Sequence, residues 1–145
     1  QTMVANGQWG LTILATAQHK IHHTWFEAFN LGTLCNIMVC VAVWMSYSGK
    51  TVTDKAFIMI MPIGLFVASG FEHCVANMFM IPLGIITAHF STPEFWQQIG
   101  VDPMKYADLD LYHFIVKNLI PVTLGNIVGG AVCIGLFQRY LTKTH

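Results

Sequence analysis

Three long apolar runs organise the chain, at residues 24–47, 56–90 and 111–138. A helix crossing a bilayer needs ~20 apolar residues at a rise of ~1.5 Å each, so the first and third runs predict one span apiece. The middle run predicts something else. Fully helical it would measure ~50 Å, too long for a ~30 Å hydrocarbon core. Glu72 and His73 interrupt it near its middle, Ser69 and Gly70 precede them, and Pro62 and Pro82 lie on either side. The pattern predicts a discontinuous helix: a first half over 56–66, an unwound turn over 67–70 and a second half over 71–88. Ser69-Gly70-Phe71-Glu72 also fits the S-x-x-E capping box. In that motif the serine side chain takes one free backbone N–H and the glutamate reaches back for another, so the stretch is expected to start the second half.

Irregular backbone at membrane depth survives only where protein buries it or where it lines a watery cavity. Half-helix N-termini there carry partial positive charge and free N–H groups, which suit an anion. Ionisable residues inside a membrane point to a polar route, with His73 on it. The competing reading is a proline-kinked helix in which Glu72 and His73 pair with neighbours for structural reasons. Asn77, four residues on, is expected to share the histidine's helical face, whereas Glu72 lies ~100° around and is assigned to capping.

The remaining segments follow in order. Residues 1–23 read as an outer loop with interfacial character; His19, His22 and His23 share a helical spacing, but no acid or cysteine joins them and no metal site is expected. The span 24–47 carries Trp25, Trp44 and Tyr47 near its ends as interfacial aromatics. Its central Asn36 is either helix-packing glue or a pore-lining donor. Residues 91–110 read as a second outer loop. In the span 111–138, Gly125 and Gly129 form a GxxxG that fits helix packing, Asn118 and Pro121 suggest a bend, and Asn126 is a second amide near mid-span. Residues 139–145 form a tail, and the whole of 1–145 reads as one membrane domain. Lys50, Lys55, Arg139 and Lys143 fall on one side of three crossings and Lys105 on the other, so the positive-inside rule places the C-terminus in the cytoplasm.

Composition agrees with this reading. The chain is 54% hydrophobic and 10% charged, against ~45–50% and ~25% for soluble domains, which marks an integral membrane chain. Its formal net charge of zero argues against a nucleic-acid partner. Cys35, Cys40, Cys74 and Cys133 show no C-x-x-C spacing, so neither disulfides nor zinc are expected, and no cofactor is implied. The chain begins at Gln1 without a signal-peptide pattern and reads as part of something longer.

Longer motifs go further. Lys-Ala-Phe-Ile-Met-Ile-Met-Pro at 55–62, Phe-Val-Ala-Ser-Gly-Phe-Glu-His at 66–73, Ala-Asn-Met-Phe at 76–79 and Asn-Leu-Ile-Pro-Val-Thr-Leu-Gly-Asn at 118–126 resemble the formate/nitrite transporter family. The resemblance covers essentially all 145 residues but only part of the family's chain. It implies an all-α integral membrane fold, an aquaporin-like bundle of six spans built as two inverted repeats with broken helices. This chain would supply roughly the second repeat, completed by an N-terminal half. It further implies a homopentamer in the bacterial inner membrane, with one pore per protomer.

By the same resemblance the family's midplane histidine falls on His73 and the aromatic of its cytoplasmic constriction on Phe66. Its pore asparagines fall on Asn36 and Asn126, and its outer lysine falls on Lys20. The implied function is a channel or transporter for formate and similar small monovalent anions, with nitrite and hydrosulfide as further candidates. A carboxylate is costly to desolvate, so the path must offer donors and a removable positive charge. A histidine with an unperturbed pKa of ~6.5 can supply the charge or hand over a proton. Two rivals belong to other classes: a haem- or quinone-binding subunit of a membrane oxidoreductase, and a purely structural membrane subunit. The first needs facing axial histidines, yet only His73 lies deep, with His89 and His113 at span ends.

Overall fold

A computed structural model describes residues 3–143, so the first two residues of the expected outer loop and the last two of the expected tail lie outside the described residues. All the regular structure among the described residues is helical. It comprises α1 (Gln8–Ile21), α2 (Trp25–Ser46), α3 (Val52–Ala68), α4 (Cys74–Phe90), the short α5 (Pro93–Ile99), a 3-10 turn (Pro103–Tyr106) and the long α6 (His113–Lys143). Among the described residues, α2 and α6 are long and apolar enough to cross a membrane, and α4 with α5, bent by 106° at their junction, would make a third span if counted as one. The helices α3 and α4 have 17 residues each, ~25 Å of rise apiece.

The described residues form two compact units, 3–25 with 75–120 and 26–74 with 121–143. In the first, α1 is part of the core and not only an interfacial strip. Leu14, Ala17 and Ile21 are buried with Ile81 of α4, Phe95 and Trp96 of α5, Tyr106, Leu109 and Phe114. Gly84 permits the α1–α4 approach, because a Cβ there would sit 2.2 Å from that of Ala17. The segment 91–110 is likewise more than a connection. Thr92-Pro93 opens α5 in the usual way, proline needing no partner for an N–H at the first turn. The carboxylate of Asp102 accepts the Met104 N–H at 2.9 Å and starts the 3-10 turn. Trp96 and Tyr106 then lie with ring centroids 6.1 Å apart.

An acid does join one of the three histidines, His22 at the C-cap of α1, brought from a distance in sequence. His22 pairs with Asp108, and the Gln18 amide donates to the Asp108 carboxylate at 3.0 Å and to the Lys105 carbonyl at 2.6 Å. Burial pushes the Asp108 carboxyl up, but the hydrogen bonds from His22 and Gln18 outweigh it and hold the group below its ordinary value.

In the second unit α2 and α6 meet backbone to backbone. A Cβ on Gly125 would lie 2.1 Å from the Phe29 carbonyl oxygen, and one on Gly129 would lie 2.1 Å from that of Thr33. The GxxxG is therefore a packing motif inside the chain. The helix α6 is irregular, with π-helical stretches at His113–Leu119 and Val128–Leu136. The first leads into Pro121, which has no N–H to give and whose ring crowds the carbonyl four residues back; a wider turn relieves both. The irregularity falls where Asn118 and Pro121 were expected to disturb the helix.

Candidate functional site

The break between α3 and α4 spans residues 69–73, slightly later than the spacing predicted, and it ends differently from the expectation. Ser69 and Gly70 close the first half instead of opening the second. Gly70 has φ +66°, the Gly70 N–H donates to the Val67 carbonyl at 3.1 Å, and the Phe71 N–H donates to the Phe66 carbonyl at 3.1 Å. That pair of bonds is a Schellman C-cap, which needs a residue in the left-handed region where glycine carries no Cβ penalty. With the chain so turned, Phe71, Glu72 and His73 run on without helical structure, and α4 starts at Cys74. The capping-box reading of Ser69 and Glu72 therefore fails. The S-x-x-E spacing is present, but its glycine is committed to ending a helix.

The N-terminus of α4 is capped from elsewhere. Asn126 Oδ1 accepts the Cys74 N–H at 3.0 Å, across 52 residues of sequence. Asn126 Nδ2 donates to the Glu72 carbonyl at 3.1 Å and to the Gly32 carbonyl at 2.8 Å. Asn36 Nδ2 in turn donates to the Asn126 backbone carbonyl at 2.6 Å. Glycines make room for both amides: a Cβ on Gly32 would lie 3.1 Å from Asn126 Nδ2, and one on Gly130 would lie 2.5 Å from Asn36 Nδ2. The Glu72 N–H faces the Leu31 carbonyl at 3.4 Å, and its residue is 1% exposed. The segment carrying His73 is thus stitched to α2 and α6 by main-chain and amide contacts.

His73 is half-buried, and its ring stacks on Phe66 with centroids 6.3 Å apart and planes 30° from parallel. Phe66 lies in the last turn of α3, where its carbonyl takes part in the Schellman bond. An aromatic plate beside an imidazole gives one apolar wall and one group able to donate a hydrogen bond or carry charge.

Phe66, Glu72, His73, Asn36 and Asn126 belong to one compact unit, and Lys20 and Asn77 to the other. Because α4 begins at Cys74, His73 is not on that helix, and the i+4 argument that put Asn77 on its face no longer applies. Asn77 is fully buried; its Nδ2 donates to Asn118 Oδ1 at 2.7 Å, while Asn118 Nδ2 donates to the Lys20 carbonyl at 2.9 Å. This amide chain ties α4, α6 and α1 together within the first unit, which makes Asn77 a packing group there. Sequence reasoning missed Asn118 as its partner. The signal was a second buried-type amide inside an apolar run, noted only for its place before Pro121.

With this geometry in hand, comparison with known proteins is informative. A family profile described as "Formate/nitrite transporter" matches residues 1–140. The formate channel FocA of Haemophilus influenzae is 97% identical over 145 residues, which is all of this chain and 51% of that protein. FocA of Escherichia coli is 60% identical over 134 residues, covering 92% of this chain and 47% of that protein. A solved structure described as a pentameric formate channel with formate bound superposes with a TM-score of 0.93 at 51% identity, over 98% of this chain and 56% of that one. The chain spans about half the length of the curated relatives it matches. The chain belongs to the formate/nitrite transporter family.

Proposed function

We propose that this chain supplies the His73-bearing part of a transmembrane path for formate and similar small monovalent anions. The observation that carries the reading is the helix break at residues 69–73, whose one imidazole stacks on Phe66, in a chain of this family. The pairing suits the chemistry of a carboxylate in transit. Desolvating the anion is costly, so a donor able to become cationic is needed where water is excluded. His73 either holds the anion as imidazolium or gives it a proton, so that a neutral acid crosses the apolar wall and the imidazole takes a proton back from water on the side the anion entered. Phe66 limits size at the same point. Asn36 uses one N–H on the Asn126 carbonyl and keeps a second for the path. Lys20 is assigned to the outer side, where a cation draws anions in.

On this reading the working protein is a homopentamer, the N-terminal half completes each protomer, and nitrite and hydrosulfide are further cargo of similar size and charge. The bacterial inner membrane is its place, with the C-terminus in the cytoplasm, supported by Lys50, Lys55, Arg139 and Lys143 on that side against Lys20 and Lys105 on the other. Passage with at most a reversible proton transfer needs no cofactor. The test is uptake of labelled formate by liposomes holding the full-length protein, against protein-free liposomes at the same pH. Protein-dependent uptake that falls as acetate replaces formate is expected; uptake equal to the protein-free control contradicts the reading.

A further inference from the structure

We infer that Asn126 is a positioning residue that clamps His73 in place, and not a donor to the passing anion. The inference rests on the reading of His73 as the group that meets the anion. A carboxamide has two N–H donors and one carbonyl oxygen. Both Asn126 donors are used, on the carbonyls of Gly32 at 2.8 Å and Glu72 at 3.1 Å, and the oxygen accepts the Cys74 N–H at 3.0 Å. Nothing on this side chain is left to donate to an anion.

The partners explain what the side chain does instead. The Glu72 carbonyl belongs to the peptide bond entering His73, and the Cys74 N–H belongs to the peptide bond leaving it. One buried amide, 5% exposed, therefore holds the main chain on both sides of the histidine. Residues 71–73 lie outside the helices, and the amide adds to the Phe71–Phe66 bond at 3.1 Å and the Glu72–Leu31 contact at 3.4 Å in fixing the stretch.

The clamp also has a fixed anchor. Gly125 and Gly129 on either side of Asn126 press α6 against the carbonyls of Phe29 and Thr33. Asn36 holds the Asn126 carbonyl at 2.6 Å. The stacking of His73 on Phe66 thus depends on α2 and α6, through a residue whose hydrogen bonds reach neither ring.

The experiment uses the full-length protein and two readouts. Amide hydrogen exchange, followed by mass spectrometry on peptides covering 71–75, reads the clamp directly. Formate flux into liposomes between about pH 5 and 8 reads its consequence for the histidine. Asn126→Leu is expected to speed exchange at 71–75 by about tenfold or more. Asn126→Ala, which removes the same three bonds without adding bulk or a titrating group, is expected to speed it to a similar extent. Asn126→Leu should change the pH profile of flux in the wild-type background and add nothing on top of His73→Asn, as coupled residues do.

Unchanged exchange at 71–75 would overturn the inference. So would a flux lowered by one constant factor at every pH in both backgrounds, which is what a direct anion donor gives. If Asn126→Leu does not assemble, Asn126→Ala carries both readouts. If exchange responds while His73→Asn keeps the wild-type pH profile, the clamp stands and the reading of His73 is what fails.

Discussion

The rings of Phe66 and His73 stack at 6.3 Å although the residues belong to different backbone regimes, one in the last turn of a helix and the other in unwound chain. The Schellman turn at Gly70 ends α3 and leaves residues 71–73 unwound, with the histidine within stacking distance of the last helical turn. If Phe66 limits size there, Phe66→Ala opens the narrow point and leaves His73 without its apolar wall. Acetate flux relative to formate flux in liposomes should rise by about tenfold, the scale on which a pocket distinguishes a methyl group. A ratio unchanged from wild type contradicts the constriction.

Contact between α2 and α6 sets the second prediction. Gly129→Ala drives a Cβ to within 2.1 Å of the Thr33 carbonyl oxygen, a backbone atom that cannot rotate away. Overpacking of this kind costs ~1–3 kcal/mol or more. Gly64→Ala in α3 is the control, since a Cβ there meets nothing within 4 Å and alanine is a better helix former by ~0.5–1 kcal/mol. Thermal unfolding in detergent should fall for the first and hold or rise for the second; equal melting temperatures would contradict the close approach.

A third prediction concerns acid. The Asp108 carboxyl lies below its ordinary value because the hydrogen bonds from His22 and Gln18 outweigh its burial. A carboxyl with a depressed folded-state pKa stabilises the fold above its unfolded value of ~3.9 and loses that contribution as pH falls through the folded value. Asp108→Asn should therefore melt lower than wild type at pH 7, and the gap should close below about pH 4. A gap that stays constant from pH 7 to pH 3 would show that the pairing with His22 and Gln18 contributes nothing.

Much of the architecture was legible in the sequence, and the misreadings have physical causes. The spans at α2 and α6 follow from apolar length alone. The break was legible because charge, glycine and flanking prolines coincide, and it was placed within a few residues of where it lies. Its caps were not. Ser69-Gly70-Phe71-Glu72 serves equally as an N-terminal box or as a C-terminal Schellman turn, and the choice depends on whether Gly70 adopts positive φ, which local sequence does not dictate. The true cap of α4 comes from Asn126, and no local pattern reports a partner 52 residues away. The same limit hid the Asp108 partner of His22 and the Asn118 partner of Asn77. The helix α5 and its 3-10 neighbour had a local signal, Thr92-Pro93 and Asp102-Pro103 before aromatic residues, which the acidic composition of 91–110 obscured.

The most direct test of the proposed path is the pH dependence of formate flux with and without His73. Asparagine keeps a donor and removes the titrating ring, so His73→Asn should assemble and still pass formate. Flux is measured across liposomes holding the full-length protein at stepped pH from about 5 to 8, the window in which a histidine near its reference pKa titrates. Protein-free liposomes correct for free formic acid crossing the lipid. Wild-type flux should change severalfold across the window, while the His73→Asn profile should vary by less than about twofold. A His73→Asn profile that follows the wild type at every pH would remove the imidazole from the transport step and contradict the account.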